Sequence, residues 1–254
     1  MRIVIKVGTT TLAHATGNLN IRRVEELCKV LSDLKNAGND VVLVSSGAIG
    51  MGVGKLSLSE KPSDIPGKQA AAAVGQCELM YTYDKLFSEY NHVVAQILLT
   101  GADVKNEERY TNFTNTINRL LEMKVLPVVN ENDTVSIDEI QIGDNDTLSA
   151  IVAKSIAADV LVILTDTEGL YTADPREDKD AKLIPVVEEI TEDLMKLGGG
   201  SGSKQGTGGM FTKLQAARIA TEAGTDTVII NGKNPEALYN VIDGREFVGT
   251  TFKA

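Results

Sequence analysis

Apolar runs that suit buried strands alternate along this chain with segments whose apolar residues lie on one face of a helix. A strand is expected at 2–7 (RIVIKV), a long amphipathic helix at 21–37, and a second strand at 40–45 (DVVLVS). The second strand is almost entirely apolar, which is typical of a strand covered on both faces in a parallel sheet.

The alternation continues along the rest of the chain. Further strands are expected at 93–99, 125–129, 160–164 and 227–230, with helices after Pro66, at 106–123, at 147–157, at 214–224 and after Pro235. The pattern predicts an α/β fold, a three-layer αβα sandwich with a mostly parallel central sheet, in a single domain that spans 1–254. Gly75, inside the helix after Pro66, suggests a close helix contact, either within the chain or between subunits.

Polar or glycine-containing segments follow several of these strands. They read GTT after the first strand, SSGAIG after the second, NENDT after the fourth and TDTEGL after a later one. We expect the second of them to lie in a loop at 46–54, and 135–142 could form a short hairpin. Because ligands of α/β sheets bind at the carboxyl ends of the strands, these segments are expected to converge on one site.

The stretch 198–213 (GGGSGSKQGTGGMFTK) is rich in glycine and runs directly into an amphipathic helix. Glycine lets backbone N–H groups approach an anion, and a helix N-terminus adds partial positive charge. This combination favours a phosphate cradle. A flexible Gly/Ser linker is the alternative.

Composition and charge narrow the class of protein. The chain has 254 residues, 43% of them hydrophobic, which is enough for a sizeable core. We expect no signal peptide and no membrane span, since no apolar run approaches the roughly 18 residues that a span needs. Two cysteines, Cys28 and Cys77, suggest neither a disulfide framework nor a metal cluster and fit the cytoplasm. A net charge of −10 argues against nonspecific nucleic-acid binding but leaves nucleotide binding open.

Three familiar nucleotide signatures are missing from the sequence: the P-loop, a G-x-G-x-x-G after the first strand, and the protein-kinase H-R-D and D-F-G set. A phosphate site here would be of another type. Lys6 is a candidate for it, because an ammonium at the end of an apolar strand must reach water or an anion. A lysine on an edge strand, or one whose side chain extends to solvent, is the alternative.

Asp144, Asn145 and Asp146 lie at an expected helix start, where capping alone would explain one of them. Their carboxylates could orient lysines, hold a substrate amino group or assist Mg²⁺. Backbone N–H groups near Ser46 and Gly47 could hold an anion, unless this is a simple glycine turn.

Six motifs together carry a resemblance to a known family. They are KVGTT at 6–10, SSGAIG at 45–50, NENDTV at 130–135, IGDNDTLSA at 142–150, LTDTEGLYTADPR at 164–176 and GTGGMFTKLQAA at 206–217. In this order they resemble the amino acid kinase family, and most closely its members that phosphorylate L-glutamate. Phe211 stands where many members have serine.

The resemblance implies that Mg-ATP passes its γ-phosphoryl group to the side-chain carboxylate of L-glutamate, the first step of proline biosynthesis. Lys6 and Lys213 would flank the transferred group and Asp146 would hold both lysines. Glutamate would be bound by Ser46, Gly47, Ala48, Asp133 and Asn145. ATP would be bound by Lys6, Gly8, Thr165, Asp166, Thr207, Gly208, Gly209, Met210, Phe211, Thr212 and Lys213. Asp144 is the candidate Mg²⁺ ligand.

The resemblance implies further features. Residues 1–150 would mainly bind glutamate and 151–254 mainly ATP. Proline would act as a feedback inhibitor, and the protein would form a dimer or tetramer. The first part of the glycine stretch, 198–205, matches no motif, and we expect it to be a mobile flap over the nucleotide. Relatives often carry a C-terminal RNA-modification-type (PUA) domain, and we expect a form without it. The alternatives are a family member acting on acetylglutamate, aspartate, carbamate or UMP, and a non-catalytic amino-acid sensor.

Overall fold

The computed structural model describes residues 1–14, 18–135, 144–199 and 209–254. Within these residues the strands are β1 Arg2–Val7, β2 Asp40–Ser45, β3 Val94–Leu99, β4 Leu126–Glu131, β5 Val160–Thr165, β6 Val186–Val187, β7 Asp226–Asn231 and β8 Gly249–Phe252. They form one sheet in the order β3-β4-β2-β1-β5-β7-β8-β6. Among the described strands, the pair β7 and β8 is antiparallel and the other pairs are parallel.

Helices cover both faces of this sheet. They are α1 Thr9–Leu12, α2 Ile21–Asn36, α3 Ala48–Lys55, α4 Ile65–Ser88, α5 Gly101–Lys105, α6 Glu107–Glu122, α7 Asn145–Ser155, α8 Glu192–Leu197, α9 Met210–Thr221 and α10 Ala237–Ile242. Helices α6, α7, α8 and α9 pack on one face, and α2, α4 and α10 on the other, each over its own buried apolar cluster. The three-layer αβα fold with a mostly parallel sheet is therefore confirmed.

Side-chain caps account for where many helices begin. A side chain accepts a hydrogen bond from a first-turn backbone N–H at Asn20, Asp64, Thr100, Asn106, Asp144 and Thr191. These bonds satisfy donors that have no acceptor inside the helix. Gly38, just beyond the C-cap of α2, has a φ of 94°, a left-handed conformation that glycine adopts at little cost.

Several predicted boundaries are confirmed, and others are wrong. The strands at 2–7 and 40–45 have the predicted bounds. The segment 46–54, expected to be a loop, mostly forms α3. The helix predicted at 147–157 begins earlier, at Asn145, because Asp144 caps it. The helix predicted from 214 begins at Met210, and the proposed hairpin at 135–142 lies almost wholly outside the described residues.

Gly52 and Gly75 explain why a glycine-rich segment is helical here. A β-carbon on Gly52 would overlap the carbonyl oxygen of Ala71, and one on Gly75 would overlap that of Ala48. Helices α3 and α4 thus pack backbone against backbone, and this tertiary contact outweighs the low helix propensity of glycine. The close helix contact suggested at Gly75 is present within the chain.

The sheet topology predicts a ligand-binding crevice beside β1. The chain builds β2 and β4 on one side of β1, then crosses to β5 on the other side. The order of strands therefore reverses beside β1, and the carboxyl ends of strands on the two sides of such a point leave room for a ligand. Within the described residues, no helix is long and apolar enough to cross a membrane.

Candidate active site

Three buried charged side chains meet at this crevice. Lys6 Nζ lies 2.7 Å from Asp146 Oδ1, and Lys213 Nζ lies 3.2 Å from Asp146 Oδ2. The relative exposure of these residues is 7% for Lys6, 0% for Asp146 and 4% for Lys213. One carboxylate therefore bridges two ammonium groups, and these three side chains by themselves carry one net positive charge.

Each of the three comes from a different element. Lys6 is on β1, which pairs with β2 and β5, so the edge-strand alternative for this lysine is wrong. Asp146 is in the first turn of α7 and Lys213 in the first turn of α9. The helix N-termini bring partial positive charge to the same place, which favours an anion there.

Thr212 adds a third contact to Asp146. Its Oγ1 lies 2.8 Å from Asp146 Oδ2 and also 2.8 Å from the carbonyl oxygen of Gly209. Burial disfavours the ionised form of Asp146, but the two lysines and the Thr212 hydroxyl outweigh it and hold the pKa of this carboxyl below its usual value. Asp146 is therefore ionised at neutral pH.

A left-handed turn lies beside this cluster, at the end of β2. Gly47 has a φ of 106° and precedes α3, whose first residue is Ala48. The first N–H groups of a helix have no acceptor within it, so this turn can offer donors to an anion. The simple glycine turn and the anion site are thus compatible interpretations of one conformation.

Asn145 joins this turn to β4. Its Nδ2 donates to Ser46 Oγ at 2.8 Å and to Asn130 Oδ1 at 2.9 Å. Asp144 provides the helix cap, accepting from the Thr147 N–H at 2.8 Å, so capping accounts for one of the three polar residues 144–146. Asn130 is absent from the site residues predicted from sequence, although its place in NENDTV was a signal for it.

Asp133 lies just beyond β4 and is partly buried. Burial, followed by the nearby charge of Glu131, raises its pKa to about 6, while Lys61 opposes the change. A nearby cation, such as the ammonium group of a substrate, would stabilise the ionised form of this carboxyl.

The described residues among those expected to bind ATP lie at the ends of β1 and β5 and at the start of α9. Thr165 ends β5, is buried, and donates from Oγ1 to Asp166 Oδ1 at 3.2 Å. A β-carbon on Gly8 would lie 3.5 Å from Lys6 Nζ, so this ammonium group folds back over the start of α1. Gly209 caps α9, and Met210 and Phe211 form its first turn and pack on the core. Thr207 and Gly208 lie outside the described residues.

The proposed flap at 198–205 lies mostly outside the described residues as well. Of its residues, Gly198 ends α8, and a β-carbon there would come within 3.0 Å of the Phe211 backbone. Gly198 therefore lies directly against the first turn of α9.

Asp144 is better suited to bind a cation than Asn145, which has no charge, or Asp146, which already pairs with two lysines. Its burial, and then the charge of Asp146, raise the pKa of this carboxyl. Among the residues that the structure describes, no group of three or more His, Cys, Asp or Glu side chains could hold a metal ion. A single carboxylate fits Mg²⁺ that keeps its waters and is held mainly by phosphate oxygens.

Known proteins resemble this chain over its whole length. Residues 1–231 match the amino acid kinase family. A curated protein of Clostridium perfringens named glutamate 5-kinase is 53% identical, with 100% of this chain and 95% of that protein covered. One of the same name from Clostridium tetani is 55% identical, with 99% and 94% covered.

Solved structures show the same fold at much lower identity. Carbamate kinase from Giardia lamblia bound to AMP-PNP has a TM-score of 0.72 and 17% identity, with 100% of this chain and 98% of that chain covered. An isopentenyl phosphate kinase product complex from T. acidophilum has a TM-score of 0.68 and 19% identity, with both chains fully covered. From the match over residues 1–231 and the full-length relatives, the chain belongs to the amino acid kinase family.

Proposed function

We propose that this chain transfers the γ-phosphoryl group of ATP to the side-chain carboxylate of L-glutamate, giving L-glutamyl 5-phosphate, the first step of proline biosynthesis. The observation that carries the proposal is the pair of buried lysines held by Asp146 at the centre of the sheet. The full-length relatives named glutamate 5-kinase support the choice of acceptor.

The reaction joins two anions, so charge is its main obstacle. A carboxylate oxygen of glutamate attacks the γ-phosphorus, and the bond from that phosphorus to the oxygen of ADP breaks. Lys6 and Lys213 would lie on either side of the transferred group and stabilise its equatorial oxygens. Asp146 would hold both ammonium groups in place before the substrates arrive, which lowers the cost of reorganisation.

The acceptor would lie between the β2 turn and the polar end of β4. Asp133 and Asn145 are suited to the ammonium group of glutamate, and Ser46 to a carboxylate. The backbone N–H groups of Gly47 and Ala48 would lie near the reacting carboxylate. All of these residues come from the N-terminal segment, 1–150, which we assign mainly to glutamate.

ATP would be held by the C-terminal segment, 151–254, together with Lys6 and Gly8. Thr165, Asp166 and the stretch 207–213 would contact the nucleotide, with the start of α9 directed at its phosphates. Mg²⁺ bound to the phosphates would neutralise some of their charge, and Asp144 is the carboxylate we assign to it.

An ADP-release assay tests the proposed function. With ATP and Mg²⁺, ADP is expected to form when L-glutamate is present and to fall to background when it is absent. Lys213→Ala is expected to lower turnover by about a hundredfold or more, with a smaller change in glutamate binding, because this lysine acts on charge that develops in the transition state. Turnover with UMP, carbamate, aspartate or acetylglutamate but not with glutamate would contradict the proposal, as would binding without turnover.

Three further assignments rest on the same family relation. We assign proline the role of a feedback inhibitor that competes around the glutamate pocket, and the protein a dimeric or tetrameric state in the cytoplasm. Cys28 and Cys77 are both free thiols, which fits a reducing compartment. Glutamate kinetics at rising proline concentration test the first assignment, and the mass of the protein in solution tests the second.

A further inference from the structure

A glutamine on α4 lies behind the acceptor pocket and contributes only half of its amide group to hydrogen bonding. Gln76 is 7% exposed, and its Oε1 accepts a hydrogen bond from Asn130 Nδ2 at 2.9 Å. Its Nε2 is buried and has no hydrogen-bond partner among the described residues. A buried N–H group without an acceptor is unfavourable, so an apolar side chain would suit this position better unless the oxygen is needed.

The direction of the Asn130 amide can be deduced from a backbone group. Asn130 Oδ1 accepts from the N–H of Glu131 at 2.9 Å, and a backbone N–H can only donate. The atom of Asn130 that faces Glu131 is therefore the oxygen, and the atom that faces Gln76 is the nitrogen. Gln76 must present its own oxygen there, which leaves Nε2 as the unpaired end.

The hydrogen bonds continue from Asn130 into the pocket. Asn130 Oδ1 also accepts from Asn145 Nδ2, whose second hydrogen goes to Ser46 Oγ. Both hydrogens of the Asn145 amide are thus used, and its Oδ1 remains available as an acceptor. Ser46 Oγ accepts from Asn145, so its own hydrogen is available as a donor. The pocket consequently offers a hydrogen-bond acceptor to an ammonium group and a donor to a carboxylate.

The main chain around Gln76 is held firmly in place. The preceding residue, Gly75, lies so close to α3 that a β-carbon would overlap both the Ala48 carbonyl oxygen and the Gly52 nitrogen. The side chain of Gln76 therefore starts from a backbone that is fixed relative to the turn at Gly47 and Ala48. A fixed starting point is what a side chain needs to hold a neighbour in one orientation.

We propose that Gln76 is a positioning residue for the acceptor substrate: its Oε1 orients Asn130, which orients Asn145 and Ser46 so that they match the ammonium and carboxylate groups of an amino acid. This inference rests on the proposed function, because it concerns the acceptor pocket of that reaction. Gln76 acts through Asn130, and the nucleotide half of the site does not depend on it.

The test compares substitutions of Gln76 in the full chain, measured by ADP release. Gln76→Met keeps the volume but removes the acceptor for Asn130 Nδ2, and the KM for glutamate is expected to rise about tenfold. The KM for ATP and the kcat are expected to stay within about threefold. Gln76→Glu keeps an acceptor oxygen, and its KM for glutamate is expected to stay close to the wild-type value. Gln76→Asn, which is one methylene shorter, breaks the same bond and serves if the Met variant does not fold.

Leu79→Val is the matched control, because Leu79 is a fully buried apolar residue one turn further along α4. It is expected to lower the midpoint of thermal unfolding without changing the KM for glutamate. An unchanged glutamate KM in Gln76→Met, an equal rise in the KM for ATP, or a Glu variant as impaired as the Met variant would each overturn the role of Gln76. If the wild-type chain itself releases no ADP with glutamate, the proposed function fails instead.

Discussion

Asp133 differs from Asp146 because no lysine forms an ion pair with it among the described residues. Asp146 is held between two ammonium groups and has a lowered pKa, whereas burial and Glu131 raise that of Asp133 to about 6. The pKa values of the two carboxyls are therefore shifted in opposite directions. Asp146 stays ionised beside the two lysines, whereas Asp133 is suited to pair with a cationic group of the substrate.

Glutamate binding is accordingly expected to weaken in mild acid. A carboxyl with a raised pKa is protonated below about pH 6, and a protonated Asp133 no longer attracts an ammonium group. The KM for glutamate should rise about tenfold between pH 7 and pH 5, while the KM for ATP changes less. Steady-state kinetics over this range measure both constants.

Asp133→Asn is the control for this dependence. It should have a high glutamate KM at every pH and a flatter pH profile, because the titrating carboxyl is gone. The profile is not expected to be fully flat, since Asp144, whose pKa is also raised, remains in the variant. A wild-type glutamate KM that is constant from pH 7 to pH 5 would argue against an ammonium contact at Asp133.

Helices α3 and α4 are the elements on which the acceptor pocket depends most. Their close approach at Gly52 and Gly75 sets the position of the β2 turn, and α4 also carries Gln76. Both glycines face backbone atoms, which cannot move aside as the end of a side chain can. The contact is therefore intolerant of a single added methyl group.

Gly75→Ala is expected to destabilise the fold by about 1–3 kcal/mol, as overpacking typically does, and to raise the KM for glutamate by displacing Ala48. Gly50→Ala is the matched control within α3, because its β-carbon would meet only the Thr9 side chain at an ordinary 3.6 Å. That change should be neutral or stabilising by about 0.5–1 kcal/mol, owing to the better helix propensity of alanine. Unfolding midpoints and glutamate kinetics compare the two, and equal effects would mean that the close approach is unimportant.

The two halves of the sheet come from the two halves of the chain. Strands β3, β4, β2 and β1 come from 1–150 and occupy one half of the sheet, and β5, β7, β8 and β6 come from 151–254 and occupy the other. Lys6 is on β1, the strand of the first half that borders the second half, and Lys213 comes from the second half. The lysine pair therefore spans the boundary at which the two proposed substrates would meet.

Hydrogen exchange is expected to separate the two halves. ADP with Mg²⁺ alone should slow exchange mainly around the end of β5 and the start of α9, and glutamate alone mainly around the β2 turn and the end of β4, because a ligand protects the backbone that it orders. Helix α6, which carries no predicted site residue, serves as the internal reference. Protection of both halves to the same extent by either ligand alone would contradict the proposed division.

The fold class, the charged residues of the site and the family could be predicted from the sequence alone. The alternation of apolar runs with amphipathic segments determined the three-layer fold, since both periods record which faces are buried. Lys6 stood out because a polar group within an apolar strand needs a partner, whereas Asp146 lay in a polar helix start and Lys213 in the glycine-rich stretch. The motifs around them then pointed to the amino acid kinase family.

The tertiary structure alone decided the features that depend on contacts between distant segments. The glycines of 46–54 are typical of a loop, and only packing against α4 makes that segment helical. Gln76 looks like an ordinary polar position on a helix, and its orienting contact comes from Asn130, 54 residues further along the chain. Local patterns record burial and conformation, but the direction of a hydrogen-bond chain is set by which donors and acceptors the fold brings together.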